Sequence, residues 1–166
     1  MSAPHWIPAY VALGSNLDDP RAQVERAFGE LGALGESLLV ARSSLYRSRP
    51  LGPVEQPDFV NAVAGILTRL GPAALLAELK ALEQRLGREK PVVRWGPRRI
   101  DLDLLVHGSA RIGQPGLTVP HPGIPERAFV LAPLAEIAPD LDVPGLGKVS
   151  SLLARLPAPE LERLAA

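Results

Sequence analysis

Two stretches of this chain carry apolar residues at helical spacing, and each opens on a proline and closes on a glycine. Between Pro20 and Gly35 the stripe is Val24, Ala27, Phe28, Leu31 and Leu34; between Pro72 and Gly87 it is Leu75, Leu76, Leu79, Leu82 and Leu86. Proline suits the first helical turn, where its missing N–H has no partner to lose, and glycine suits the residue just past the last turn. Asp19 stands where an N-cap carboxylate would accept from the first free N–H groups. A helix with one apolar stripe must bury it against another element. The flanking segments supply that element. Ala9 to Leu13 is a short apolar run ending at Gly14-Ser15-Asn16, and Leu38–Arg47, Phe59–Leu70 and Ile100–His107 also read as strands. The order strand, helix, strand, strand, helix, strand predicts two β-α-β units joined by a hairpin. That is a ferredoxin-like α+β sandwich, in which an antiparallel sheet carries the helices. Further on, Gly113 to Pro125 is turn-rich, Arg127 to Ile137 reads as a helix broken at Pro133, Val149 to Leu156 reads as a short amphipathic helix, and the last ten residues are expected to fray.

At 166 residues the chain is expected to form one domain, 1–166. It contains no cysteine, which excludes disulfides, thiolate zinc sites and thiol nucleophiles. Stability must come from an apolar core, and a hydrophobic share of 46% against 22% charged residues is enough to build one. Lys plus Arg equals Asp plus Glu at 18 each, so overall charge points to no nucleic-acid or membrane partner. No apolar run reaches the ~20 residues of a membrane span. The start, Met-Ser-Ala-Pro-His-Trp, lacks the pattern of a signal peptide, so a soluble cytoplasmic protein is expected; a monomer is the separate expectation for its assembly.

Chemistry must therefore come from local clustering, and the strongest cluster is Arg88 to Asp103. Arg88, Lys90, Arg94, Arg98 and Arg99 stand against a single anion, Glu89. Directly after them come Asp101 and Asp103 on a predicted strand. Side chains at i and i+2 share a face, ~6–7 Å apart along the strand, a spacing that lets two carboxylates hold a hard cation such as Mg²⁺ together with substrate phosphates. Arginine forks grip phosphate oxygens, so the run has the parts of a metal-assisted phosphoryl transfer. The same residues also fit a solvated basic loop that forms ion pairs with surface aspartates. Other candidates are individually weaker. His121, held extended between Pro120 and Pro122, is a structural histidine or a phosphate contact; His5 and His107 have no zinc-ligand spacing to it. Gly14-Ser15-Asn16 is a turn or a phosphate cradle without the Walker lysine. Phe59 and Asn61 share a strand face and suit either core packing or stacking on a flat heterocycle and reading its edge.

The run Arg94-Trp95-Gly96-Pro97-Arg98-Arg99-Ile100-Asp101-Leu102-Asp103-Leu104 resembles the signature of the 6-hydroxymethyl-7,8-dihydropterin pyrophosphokinases of folate biosynthesis. Four further blocks resemble the same family in the same order: Leu13–Leu17, Leu45–Ser48 with Pro50–Pro53, Gln56–Asn61, and Thr118–Pro122 with Arg127–Val130. The resemblance implies the ferredoxin-like fold with helices on both faces of the sheet, and transfer of pyrophosphate from ATP to the pterin with release of AMP. It implies that Asp101 and Asp103 hold two Mg²⁺ ions, and that Arg88 and Arg94 lie on a loop closing over the triphosphate. It assigns Glu83, Lys90, Arg94, Trp95, Arg98, Leu104, Thr118, His121 and Arg127 to the ATP site. The pterin is expected between Phe59 and Phe129. Its edge would be read by Asn61 and by the backbone of Ser48, Pro50 and Leu51, with Trp95 closing over it.

Several positions depart from the family pattern. Lys90 stands where arginine is common, and Phe59 where tyrosine is frequent. Arg49 stands where proline is frequent, Gly116 where some relatives carry a nucleotide-contacting arginine, and Lys80 where some carry glutamine. Pro91 is expected to stiffen the basic loop. The alternative reading is a non-catalytic nucleotide- or RNA-binding module on the same fold; zero net charge and few aromatic residues on the strands speak against RNA.

Overall fold

The structure, a computed structural model, describes residues 2–87, 99–158 and 160–165. In chain order the elements are β1 (Ser2–Ser15), α1 (Pro20–Gly32), β2 (Ser37–Arg42), β3 (Tyr46–Ser48), β4 (Phe59–Leu70), α2 (Pro72–Arg85) and β5 (Asp101–His107). Next come β6 (Ile112–Gln114), β7 (Leu117–Val119), a single 3₁₀ turn (Ile124–Glu126), α3 (Ala128–Ile137), β8 (Asp142–Val143), β9 (Gly147–Lys148), α4 (Val149–Ala154) and β10 (Glu162–Arg163). It is a mixed α/β fold with an antiparallel sheet and, among the described residues, four α-helices. The main sheet runs β10-β3-β4-β1-β5, with β2 also paired to β4.

Alternation along β1 sorts the apolar core into two clusters. Ala9, Val11 and Leu13 pack with Val24, Phe28 and Leu31 of α1 and Leu75, Leu79 and Leu82 of α2. Tyr10 and Ala12, between them, pack with Val130, Leu131 and Leu134 of α3 and Val149 and Leu152 of α4. Strand side chains point alternately to opposite faces, so the two helix pairs cover opposite sides of β1. β5 repeats the rule, with Leu102 and Leu104 in the first cluster and Leu105 and Val106 in the second. A register shift between Tyr10 and Val11 places Leu105 as the extra residue of a bulge.

The predicted strand Phe59–Leu70 and the two proline-opened helices stand as the sequence reads, and Asp19 Oδ1 accepts the Ala22 N–H at 3.3 Å. Five expectations are corrected. α1 stops at Gly32, where the Ala33 N–H turns back to the Glu30 carbonyl at 3.1 Å and the Leu34 N–H to the Leu31 carbonyl at 3.2 Å; the left-handed residue is Glu36 rather than Gly35. The predicted strand Leu38–Arg47 is two strands. The Ser43 hydroxyl accepts the N–H of Val63 at 2.8 Å and takes a bond the ladder would otherwise use. The turn-rich stretch holds the β6–β7 hairpin, turned at Gly116 with φ +79°. α3 runs unbroken through Pro133, because the bond that proline forgoes would reach only Phe129 in the first turn, while Val130, Leu131 and Leu134 hold the helix on the sheet. Near the C-terminus, where fraying is expected, residues 162–164 are tied down: β10 pairs with β3, Leu164 N–H donates to the Leu45 carbonyl at 2.8 Å, and Arg47 pairs with Glu162 at 3.2 Å.

Candidate active site

Gly14, near the end of β1, is the register partner of Asn61 on β4 and of Asp101 on β5. Two residues back, Ala12 opposes Val63 and Asp103. Neighbouring strands lie about 4.8 Å apart, so a floor of two small residues separates Asn61 from the carboxylates by roughly 10 Å. A cleft of about 390 Å³ opens above this floor. Asp101, Asp103, Lys80, His121 and Arg127 line it together with Phe59, Phe129, Leu51, Asn61 and Ser48.

The carboxylate wall is electrostatically tense. Burial, followed by the negative charge of Asp101, pushes the Asp103 carboxyl up to about 7; Lys80 and Arg127 pull the other way. Burial and then the Arg127 charge hold the His121 imidazole below its ordinary range, which favours the neutral ring. Its Nδ1 accepts the Gly123 N–H at 3.0 Å, so the neutral ring carries its proton on Nε2 as a donor. The Arg127 side chain lies close over Gly123: a Cβ there would come within 2.6 Å of Arg127 Nε. Its guanidinium carbon is 5.8 Å from the centre of the Phe129 ring, which links the charged and aromatic parts of the cleft.

The aromatic side is braced from several directions. The Asn61 amide donates to Ser48 Oγ at 2.6 Å, and both residues are buried. The Asn16 amide donates to Gln56 Oε1 at 2.8 Å and to the Pro57 carbonyl at 2.9 Å, holding the segment between β3 and β4 against β1. Glu136 of α3 accepts the Tyr46 hydroxyl at 2.6 Å and the Ser44 N–H at 3.0 Å, joining the helix that bears Phe129 to the strand that bears Ser48.

Of the residues singled out from sequence, Ser48, Leu51, Phe59, Asn61, Asp101, Asp103, His121, Arg127 and Phe129 meet in this one cleft. Pro50 lies between two of its lining residues, Arg49 and Leu51. Leu104 is buried in the core beneath the sheet, and Thr118 is exposed on β7. Glu83 is 1% exposed, and its carboxylate accepts the Leu102 N–H at 2.7 Å. Arg88, Lys90, Arg94, Trp95 and Arg98 lie outside the described residues, as does Pro91. Ala12, Arg49 and Lys80 line the cleft without having been named as site residues. For Ala12 the signal was its place two residues before Gly14 on an alternating strand.

Among the described residues no group of three or more His, Cys, Asp or Glu side chains is placed to hold a metal ion. The Asp101/Asp103 pair still fits a hard divalent cation whose remaining oxygens come from a phosphate substrate, the usual manner of Mg²⁺ binding. No helix among the described residues is long and apolar enough to cross a membrane.

The model of the 7,8-dihydro-6-hydroxymethylpterin-pyrophosphokinase family matches residues 10–139 of the chain. The 2-amino-4-hydroxy-6-hydroxymethyldihydropteridine pyrophosphokinase of Pseudomonas aeruginosa is 50% identical over 155 residues, covering 93% of this chain and 95% of that protein. The enzyme of the same name from Haemophilus influenzae is 46% identical over 147 residues, covering 89% and 91%. Among solved structures, a Plasmodium falciparum HPPK-DHPS triple mutant superposes with a TM-score of 0.70 at 15% identity. The match covers 90% of this chain and 44% of that one, so the chain spans less than half of the solved protein, and the likeness speaks to fold alone.

Proposed function

This chain belongs to the 7,8-dihydro-6-hydroxymethylpterin-pyrophosphokinase family, which transfers pyrophosphate from ATP to 6-hydroxymethyl-7,8-dihydropterin in folate synthesis, and from that premise we propose how its residues divide the work. The observation that carries the proposal is the shared register partner: Asn61 and Asp101 flank Gly14 on one sheet face, so a pterin read by Asn61 points across the floor at the carboxylates. The pterin ring stacks between Phe59 and Phe129. Its edge is read by Asn61 and by backbone groups of Ser48, Pro50 and Leu51. The Ser48 hydroxyl, bonded to the Asn61 amide, holds that amide in one orientation.

The triphosphate lies along the opposite wall. Lys80 and Arg127 neutralise phosphate charge, and His121 donates from Nε2. Thr118 and the residues Arg88, Lys90, Arg94, Trp95 and Arg98 complete the nucleotide site in this reading, as the family resemblance implies. Asp101 and Asp103 would hold two Mg²⁺ ions, which would supply charge neutralisation to the phosphate oxygens. The pterin hydroxymethyl oxygen attacks the β-phosphorus in line. The new O–P bond forms as the bond from the β-phosphorus to the α-phosphate oxygen breaks, and AMP leaves. Asp101, the register partner of the floor residue Gly14, also orients the hydroxyl or accepts its proton in this reading. Holding both reactants over one rigid floor supplies much of the acceleration, since a positioned pair avoids the entropy cost of encounter. The strand order also supports a ferredoxin-like, three-layer arrangement; a cytoplasmic location is part of the same proposal.

The test is AMP release from ATP, Mg²⁺ and 6-hydroxymethyl-7,8-dihydropterin, with the Asp101→Ala/Asp103→Ala double variant alongside. Pterin-dependent AMP that disappears in the variant is the expected result. AMP release unchanged in the variant would refute the roles given to the carboxylates.

A further inference from the structure

Glu83 is a carboxylate set into an apolar helix face. Leu79, Leu82 and Leu86 around it are all buried, and Glu83 itself is 1% exposed. A carboxylate in such a place is costly unless its oxygens are bonded. One of them, Oε2, accepts the backbone N–H of Leu102 at 2.7 Å. The other, Oε1, is 3.6 Å from the ammonium of Lys80, which lines the cleft.

Leu102 is the residue between Asp101 and Asp103. β5 ends the sheet order, so its alternate N–H groups point away from β1, off the edge of the sheet. Leu102 is fully buried in the α1/α2 core, so water does not reach its N–H freely, and leaving that N–H unpaired would be costly. Glu83 closes that edge. Because strand side chains alternate, fixing the backbone at Leu102 fixes the direction in which both aspartates leave the strand.

We propose that Glu83 is a positioning residue: by holding the Leu102 N–H it sets the spacing and aim of the Asp101/Asp103 pair, and through Lys80 it ties that pair to a cation of the cleft wall. The inference rests on the reading of Asp101 and Asp103 as the metal carboxylates. Outer hydrogen bonds that orient metal ligands typically change metal affinity by about 10–100-fold when removed. Glu83 acts through a backbone bond, so what it controls is geometry at the carboxylates and not the aromatic side of the cleft.

The experiment compares Glu83→Gln, Glu83→Ala, Glu83→Leu and Asp103→Asn with the parent enzyme. Three quantities are read: hydrogen exchange and the proton shift of the Leu102 amide in the free enzyme, the Kd for Mn²⁺ in the presence of a non-hydrolysable ATP analogue, and the Kd for the pterin by fluorescence. Glutamine keeps an acceptor oxygen, so Glu83→Gln should retain Leu102 protection and bind Mn²⁺ within about threefold of the parent. Glu83→Ala should lose the protection and bind Mn²⁺ about 10–100-fold more weakly, with the pterin Kd unchanged. Glu83→Leu fills the vacated space and should behave as alanine does, which keeps the test open if the alanine variant folds poorly. Mn²⁺ binding unchanged in Glu83→Leu, or Mn²⁺ and pterin weakened alike, would overturn the positioning role. Parent-like Mn²⁺ binding in Asp103→Asn would overturn the metal reading beneath it, an outcome distinct from loss in Asp103→Asn with no loss in the Glu83 variants.

Discussion

Asn61 and Asp101 stand on different strands and oppose the same residue, Gly14. The Asn61 and Asp101 positions are therefore fixed relative to each other by sheet register rather than by loops. Strand elements hold such separations more tightly than loops do. Chain segments far apart in sequence, β4 and β5, are brought to one reaction floor by a single central strand.

That floor predicts the effect of adding side chains to it. A Cβ on Gly14 would lie 3.4 Å from Asn61 Oδ1 and 3.8 Å from the Phe59 ring, ordinary contact distances. Gly14→Ala should fold and turn over close to normally. Gly14→Val adds two further methyl groups above the floor, in cleft space that the pterin would fill in this reading, so they compete with the ligand and spare the packed core. Steady-state kinetics should show KM for the pterin rising about 10-fold or more, with the melting temperature nearly unchanged. A rise in the KM for ATP alone would contradict the placement.

Gly123 tests the nucleotide wall separately. Its backbone is right-handed, so alanine carries no conformational penalty there. An added Cβ would nevertheless approach Arg127 Nε to 2.6 Å and displace the guanidinium. Gly123→Ala should therefore leave stability within about 0.5 kcal/mol and raise the KM for ATP several-fold, with little change for the pterin. Unaltered ATP kinetics would remove Arg127 from the nucleotide site.

The Glu136 brace should show itself in the pH dependence of stability. Partial burial alone would raise the Glu136 carboxyl, but bonds from Tyr46 and Ser44 and the charge of Arg163 outweigh it and hold the group below its usual 4.5. Its folded value is depressed, so its contribution is complete above pH 4.5 and is lost as pH falls through the lower folded value. Tyr46, pushed up to about 12 first by burial and then by Glu136, acts in the opposite sense: its contribution is complete below pH 10 and fades as pH rises toward 12. The Glu136 side chain is 23% exposed and its partners reach solvent, so the effect is small, under about 1 kcal/mol. Urea unfolding should find Glu136→Gln less stable than the parent at pH 7 and level with it near pH 3. A gap that widens on acidification would contradict the assignment.

The elements with a strong period were legible in the sequence. Phe59–Leu70 and both proline-opened helices needed only apolar spacing and end signals. What stayed hidden depended on partners distant in sequence. Glu162-Arg163 has no apolar alternation, and it forms a strand because β3 offers an open edge and Arg47 offers a charge. Ser43 breaks a strand because its hydroxyl reaches Val63, twenty residues away. In the site, residue types marked the carboxylates and aromatics, whereas the sharing of Gly14 depends on register that no local pattern carries. Glu83 is the instructive case. Positions 79, 82, 83 and 86 follow the i, i+3, i+4, i+7 rule, so its burial could be read from the spacing. Its partner, a backbone N–H across the sheet edge, could not.

The central claim is that the pterin and the metal carboxylates share one cleft across Gly14. The most direct measurement is paramagnetic broadening of the pterin hydroxymethyl protons by Mn²⁺, in a complex with the enzyme and a non-hydrolysable ATP analogue. The register spacing predicts strong broadening, from a metal within about 10 Å of those protons, that disappears in Asp101→Ala/Asp103→Ala while the pterin remains bound. Bound pterin with sharp hydroxymethyl signals, or broadening that persists in the double variant, would contradict it.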